Sequence, residues 1–209
     1  MNNIVILISG SGSNMKAIVE HSIKARWLER YEARVSLVLS TDPASKGLAW
    51  ANAAGLHTQV LSHKDYPTLS KDQAREAFES DLCAVLDEQA PALVVLAGFM
   101  RILSPSTVEH YAHRMINIHP SLLPAFTGLQ THERALLAGC KFHGATVHWV
   151  TAELDAGAII DQAVVPVLST DTVQMLAHRV LTQEHLLYPS AIENWLKTGS
   201  KLKAVEVGR

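Results

Sequence analysis

Residues 3–14, "NIVILISGSGSN", decide the fold. The run Asn3–Ser9 is apolar without alternation and then stops at glycines, as a strand buried on both faces of a parallel sheet does. The stretch "NMKAIVEHSIKARWLE" follows at once, with Met15, Ile18, Val19, Ser22, Ile23 and Arg26 at helical spacing. A strand, a glycine turn and a helix in that order form the opening unit of a doubly wound sheet.

The same alternation continues outward. "ARVSLVLS" (33–40) is a second β-branched run, and "PASKGLAWANAAG" reads as a helix with Gly55 at its C-terminal stop. A short run around "HTQVL" precedes "SKDQAREAFESDLCAVLDEQAP", a long amphipathic helix ending before Pro91. "ALVVLAG" (92–98) is a further buried strand. Strands alternating with helices predict an α/β fold with a mainly parallel sheet and helices on both faces. In such a sheet ligands lie at the carboxyl ends of the strands, which places "SGSGSN", "LST", "AGFMR" and "NIHPS" on one rim.

The second half is less regular. "ERALLAGC" reads as a helix, and "FHGATVHWVTAELD" and "AIIDQAVVPV" as strands. "TVQMLAHRVLTQEHLLYPSAIENWL" reads as a closing helix, with an interruption expected before Pro189. We read the chain as one domain, 1–209, of two lobes, 1–110 and 111–209.

Bulk properties narrow the function. Of 209 residues, 48% are hydrophobic and 18% charged, which suits a globule with a sizeable core. A net charge of −2 gives no electrostatic footprint for nucleic acid or an anionic membrane. Any phosphate must be held by local geometry. Cys83 and Cys140 are too few for a disulfide framework and read as idle or buried thiols. The N-terminus has no basic n-region or cleavage site, and its apolar run is far shorter than a membrane span, so a cytoplasmic protein is expected. Nothing in the pattern assigns an oligomeric state.

"SGSGSN" (9–14) is a candidate anion cradle, built from glycine-freed N–H groups and a helix N-terminus. Ser13 and Asn14 can add side-chain bonds, and either is a candidate helix cap. The loop lacks the Gly-Lys-Ser/Thr of a Walker loop, and Met15 stands where a dinucleotide fingerprint has its third glycine. Asp42, after the second strand, is the one residue that keeps a ribose-binding reading open. The plainer alternative is a tight strand-to-helix turn.

"INIHPSLLPAFTG" (116–128) carries the chemistry. Side chains at i and i+2 of a strand share a face with Cα atoms about 6.5–7 Å apart. Asn117 and His119 therefore flank room for one small carbonyl, with Ile116 and Ile118 opposite. Pro120 holds His119 extended. An amide N–H for an oxyanion and an imidazole to move a proton suit attack on a carbonyl. Asp155 in "TAELDAG" is the first candidate for the imidazole's acidic partner, and Glu153 the second. "HYAH" (110–113) has helix-compatible spacing, yet no HExxH occurs and the cysteines lie far apart, so no metal is expected. "GSGSN" lacks the last glycine of a nucleophile elbow, which leaves catalysis without a covalent enzyme intermediate.

Taken together, "SGSGSN", "AGFMRIL" (97–103), "NIHPSLLPAFTG", "LDAG" (154–157) and "RVLTQEHLLYP" (179–189) resemble the folate-dependent formyltransferases. "NIHPSLLP" marks the wider family, and "SGSGSN" is similar to its glycinamide-ribonucleotide branch. The resemblance runs over nearly the whole chain. It implies a Rossmann-like N-terminal half and a smaller C-terminal folate-binding half. It implies transfer of the formyl group of the co-substrate 10-formyltetrahydrofolate to the glycyl amine of 5-phosphoribosylglycinamide (GAR), in purine (IMP) biosynthesis. By position, Asn117, His119 and Asp155 match the family's catalytic trio, and Gly12, Ser13 and Asn14 its phosphate loop. Met100, Arg101, Ile102 and Leu103, with Asn117, Thr151, Ala152, Glu153, Leu154 and Asp155, match the folate pocket. Arg75 matches a residue near the folate's tail, and Glu184 one that contacts GAR. The implied partners are small molecules, without nucleic acid, membrane or metal. Three alternatives stay open: a formyltetrahydrofolate deformylase with water as acceptor, transfer to methionyl-tRNA, and a non-catalytic dinucleotide-binding module.

Overall fold

The structure, a computed structural model, describes residues 1–198. Residues 199–209, the end of the expected second lobe, lie outside the described residues. The chain divides into two compact units, Met1–Met115 and the residues from Ile116 onward.

In the first unit β1 (Asn2–Ile8) pairs in parallel with β2 (Ala33–Ser40) and with β4 (Pro91–Leu96), and β2 pairs in parallel with β3 (Thr58–Val60). The order is therefore β3-β2-β1-β4. The chain moves outward from β1 to β3, then returns past β1 to β4. Because such crossovers are right-handed, the connections before and after that reversal lie on opposite faces of the sheet. On one side run α1 (Ser13–Lys24), α2 (Trp27–Tyr31) and α3 (Lys46–Ala53), and on the other α4 (Lys71–Gln89). Ile4 to Ile8, Leu37 to Leu39 and Leu93 to Val95 are fully buried, which is why these strands show no polar alternation. The predicted parallel α/β half is present.

One predicted helix is split. Arg26 takes a left-handed φ of 55°, Ala25 N–H returns to the His21 carbonyl, and α2 restarts at Trp27. The break turns Trp27 inward, fully buried and edge-on to His21. Burial of so large a side chain outweighs an unfavourable backbone angle of about 1–2 kcal/mol. The long α4 starts at a capping box, where Ser70 Oγ accepts from Gln73 N–H and Gln73 Oε1 accepts from Ser70 N–H. α5 (Pro105–His110) closes the unit, with Ser104 as its cap.

In the second unit β5 (Met115–His119) pairs antiparallel with β6 (Phe142–Trp149), which pairs antiparallel with β7 (Ile159–Pro166). β6 is shorter than "FHGATVHWVTAELD" suggests. Trp149 N–H donates to the Ala158 carbonyl and the chain reverses, leaving Thr151–Asp155 in the turn. α6 (Thr131–Leu137) and α7 (Val173–Lys197) complete the unit. α7 runs through Pro189 without the expected interruption. A mid-helix proline costs about 3 kcal/mol. Leu187, Tyr188, Ala191 and Ile192 are buried on both sides of it, each large apolar side chain contributing about 1.5–3 kcal/mol, so packing prevails. Tyr188 Oη also donates to the Ile116 carbonyl at 3.1 Å.

Candidate functional site

The carboxyl ends of β1, β2 and β4 meet at Ser9. Its N–H donates to the Gly98 carbonyl, and its hydroxyl accepts from Thr41 Oγ1 at 2.9 Å and from Met100 N–H at 3.0 Å. "SGSGSN", "LST" and "AGFMR" thus share one rim, as expected for the switch point of a doubly wound sheet. The glycine loop departs from expectation in one respect. Neither Ser13 nor Asn14 caps the helix: Gly12, at φ 69°, is the N-cap, and no side chain bonds the first turn. Only glycine fits there, because a Cβ on Gly12 would fall 2.7 Å from Gly47 Cα. Gly47 N–H and Ser45 Oγ both donate to the Gly10 carbonyl, so α3 holds the loop from behind. Asp42, the ribose candidate, is engaged as a turn acid, its Oδ1 accepting from Ala44 N–H.

Elsewhere in the first unit, Arg75 and Met100, Arg101, Ile102 and Leu103 line one groove of about 530 Å³, with Lys71 and Phe78. Arg101 stacks over the Phe78 ring at 4.5 Å. "HYAH" does not present two imidazoles to one side, since α5 ends at His110 and His113 has a left-handed φ of 61°. His110 is instead hydrogen-bonded to Asp87. Among the described residues no group of three His, Cys, Asp or Glu could hold a metal ion. Both cysteines are free and half-buried, and burial pushes the Cys83 thiol above its ordinary pKa.

In the second unit the expected face of β5 is built. Ile116 and Ile118 are buried, while Asn117 and His119 join a network that includes one residue the sequence reading did not single out, His148. His148 lies directly across from Asn117 in the β5–β6 ladder. Asn117 Nδ2 is 3.4 Å from His148 Nε2. His148 Nε2 is 3.8 Å from Asp155 Oδ1, and Asp155 Oδ2 is 3.4 Å from His119 Nδ1. Four side chains from β5, β6 and the following turn therefore form one chain of contacts.

The proton positions follow from the acceptors. His148 Nδ1 faces the Trp149 carbonyl at 2.9 Å and must donate to it. Burial lowers the pKa of His148, outweighing the upward pull of that carbonyl and of Asp155. The neutral ring leaves Nε2 as an acceptor, which commits one N–H of Asn117. His119 differs: Nε2 faces the Phe126 carbonyl at 2.9 Å and Nδ1 faces Asp155.

Asp155 is the acid at the network, and Glu153 is exposed in the same turn. The Asp155 backbone is left-handed at φ 54°, a conformation that aspartate tolerates better than most residues. Gly128 N–H donates to Oδ2 at 2.8 Å and holds the carboxylate in place. Thr151, Ala152, Glu153 and Leu154 are exposed around it, with Thr151 Oγ1 bonded to the Glu153 carbonyl. Glu184 lies on the inward stripe of α7 between Val180 and Leu187, and is buried.

Known proteins resemble this chain over most of its length. The formyl transferase family model matches residues 2–192. Phosphoribosylglycinamide formyltransferase of Escherichia coli K12 is 46% identical over 197 residues, covering 94% of this chain and 88% of that protein. The bovine trifunctional purine biosynthetic protein adenosine-3 is 43% identical over 190 residues, which span 91% of this chain and 18% of the larger protein. The crystal structure of phosphoribosylglycinamide formyltransferase from Brucella melitensis superposes with a TM-score of 0.84 at 47% identity, covering 93% and 95% of the two chains. With the parallel α/β unit, the amide–imidazole–carboxylate network and a family match over nearly its whole length, the chain belongs to the formyl transferase family.

Proposed function

We propose that the chain transfers the formyl group of 10-formyltetrahydrofolate to the glycyl amine of GAR, as a single formyltransferase domain in the cytoplasm. The observation that carries the chemistry is the network of Asn117, His148, Asp155 and His119 in the second unit. The glycyl nitrogen attacks the formyl carbon, and the carbonyl oxygen becomes an oxyanion. Asn117 has one amide N–H committed to His148 and a second to offer that oxygen. His119, as imidazolium beside Asp155, donates to the same charge once its Nε2–H leaves the Phe126 carbonyl. The C–N10 bond then breaks, and the proton lost by the amine passes to N10, releasing tetrahydrofolate. His148 orients the amide without carrying charge.

In this reading Gly12, Ser13 and Asn14 hold the GAR phosphate, since the first turn of α1 has no side-chain cap to compete with an anion. Glu184 meets the rest of GAR. In the first unit, the groove of Arg75, Met100, Arg101, Ile102 and Leu103 is read as a folate-binding groove. In the second unit, Asn117 and the turn Thr151, Ala152, Glu153, Leu154 and Asp155 are read as folate contacts. Relatives named phosphoribosylglycinamide formyltransferase favour an amine acceptor over the water of a deformylase.

The test is a formyl-transfer assay with GAR beside a control without acceptor. Tetrahydrofolate release that requires GAR, and a loss of at least ~10² in kcat for His119→Ala and Asn117→Ala, are expected. GAR-independent release at the same rate would replace the transferase with the hydrolase.

A further inference from the structure

At the floor of the groove of Arg75 and Met100–Leu103 lies a nearly buried carboxylate that the chemistry above does not use. Glu79, on α4, is 6% exposed. Its Oε1 accepts from Arg75 Nε at 3.0 Å and from Ser104 N–H at 3.1 Å. Its Oε2 accepts from Ser104 N–H at 2.9 Å, from Ser104 Oγ, and from Thr107 Oγ1 at 2.6 Å. Burial opposes the charge, but the bonds from Ser104, Thr107 and Arg75 outweigh it and hold the carboxyl below its ordinary pKa.

Such a group does more than complete an i,i+4 pair on a helix. A surface pair of that kind needs no burial and contributes little. Here one carboxylate fixes both walls of the groove. On the α4 wall it takes the Nε of Arg75, whose Nη2 reaches the Ile102 carbonyl at 3.4 Å, so the guanidinium is held along the groove it lines. On the opposite wall it anchors Ser104, the residue that ends the Met100–Leu103 segment and caps α5 by accepting from Thr107 N–H. A guanidinium pre-aimed in this way loses less freedom on meeting an anion.

We infer that Glu79 is a positioning residue for folate binding, which aims Arg75 at the carboxylates of the glutamyl tail and holds the Met100–Leu103 wall against it. The inference rests on the reading above that this groove takes the tail of the folate. Glu79 touches neither substrate. Its effect reaches the ligand through Arg75 and Ser104 alone.

The test is steady-state kinetics of Glu79→Gln, which keeps the size, removes the charge and turns an amide toward donors. KM for 10-formyltetrahydrofolate should rise about tenfold, the loss expected for one hydrogen bond to a charged group, with kcat and KM for GAR unchanged. With 10-formyltetrahydropteroate, which lacks the glutamyl tail, variant and wild type should converge. A variant in which kcat and both KM values change together, or in which the defect persists with the tail-less substrate, overturns the inference. Arg75→Met separates it from the underlying reading. If Arg75→Met leaves the folate KM unchanged, the groove does not take the tail. If it raises that KM and Glu79→Gln does not, Glu79 has no positioning role. Should Glu79→Gln fail to fold, Thr107→Val removes one bond to Oε2 and should give a smaller rise in the same KM. An unchanged value there overturns the inference as well.

Discussion

Acid should unfold this protein through His143. The imidazole is 1% exposed on β6, packed edge-on against Phe126 and His132. Its Nε2 has no hydrogen-bond partner among the described residues, and the Pro120 carbonyl lies near enough to favour the charged ring. Burial, and then the neighbouring His132, push its pKa down to about 4 against the upward pull of that carbonyl. An imidazole in the unfolded chain takes up its proton near pH 6.5. Between those values the unfolded chain binds more protons, so the contribution of His143 is complete above pH 6.5 and is lost as pH falls toward 4. At pH 5 the unfolded ring is about thirtyfold protonated over neutral and the folded ring about one-tenth, a difference of about 2 kcal/mol. His143→Asn keeps a polar side chain of similar reach without a titratable ring. Urea unfolding at pH 8, 7, 6 and 5 should show a variant less stable than wild type at pH 8, because ring packing is lost. Between pH 8 and 5, however, it should lose about 2 kcal/mol less stability than wild type. Part of the acid dependence should remain in the variant, because burial also lowers the pKa of His132. Parallel pH profiles for the two proteins would refute the assignment.

Asp155→Asn keeps a residue that tolerates the left-handed turn but removes the charge facing His119, so kcat should fall by about 10² with little change in melting temperature. Loss of fold instead of turnover would show the carboxylate to be structural. Gly47→Ala would place a Cβ 2.8 Å from both Gly12 Cα and Ile8 Cδ1. The displaced loop should raise KM for GAR by about tenfold and leave the folate KM alone, and equal shifts in both would disprove its role as a phosphate cradle.

Much of this architecture was legible because local signals and burial agreed. The run at Asn3–Ser9 reads as a two-sided buried strand and is one, and the capping box at Ser70 and Gln73 marks the start of α4 in the sequence itself. Asn117 and His119 could be paired from strand periodicity alone. The missing member, His148, is set by ladder register. Some thirty residues separate it from Asn117, including α6 and the turns around it, so no local pattern announces that they face each other. The alternation in "ATVHWV" put His148 on the same face as Thr146, but only the register of β6 against β5 brings it opposite Asn117. The cap at Gly12 was missed because serine and asparagine are the usual caps, and only the close approach of Gly47 shows why glycine must stand there. The split at Arg26 depends on where Trp27 finds room, which the helical spacing of that stretch conceals. Glu184 carries a faint signal in hindsight, as one of two acids, with Glu193, on the buried and mostly apolar side of α7.

A Cβ on Gly157 would lie 1.7 Å from the Trp149 carbonyl oxygen, so the segment entering β7 passes flush against the end of β6. That contact sets how many residues fit between the two strands, and Asp155 stands inside the interval. Most surface connections absorb extra residues at small entropic cost. This one behaves as a spacer of set length, in which an inserted residue would carry the carboxylate away from its imidazole. Variation in chain length should therefore accumulate elsewhere on the surface, and engineered insertions meant to spare activity belong in other loops.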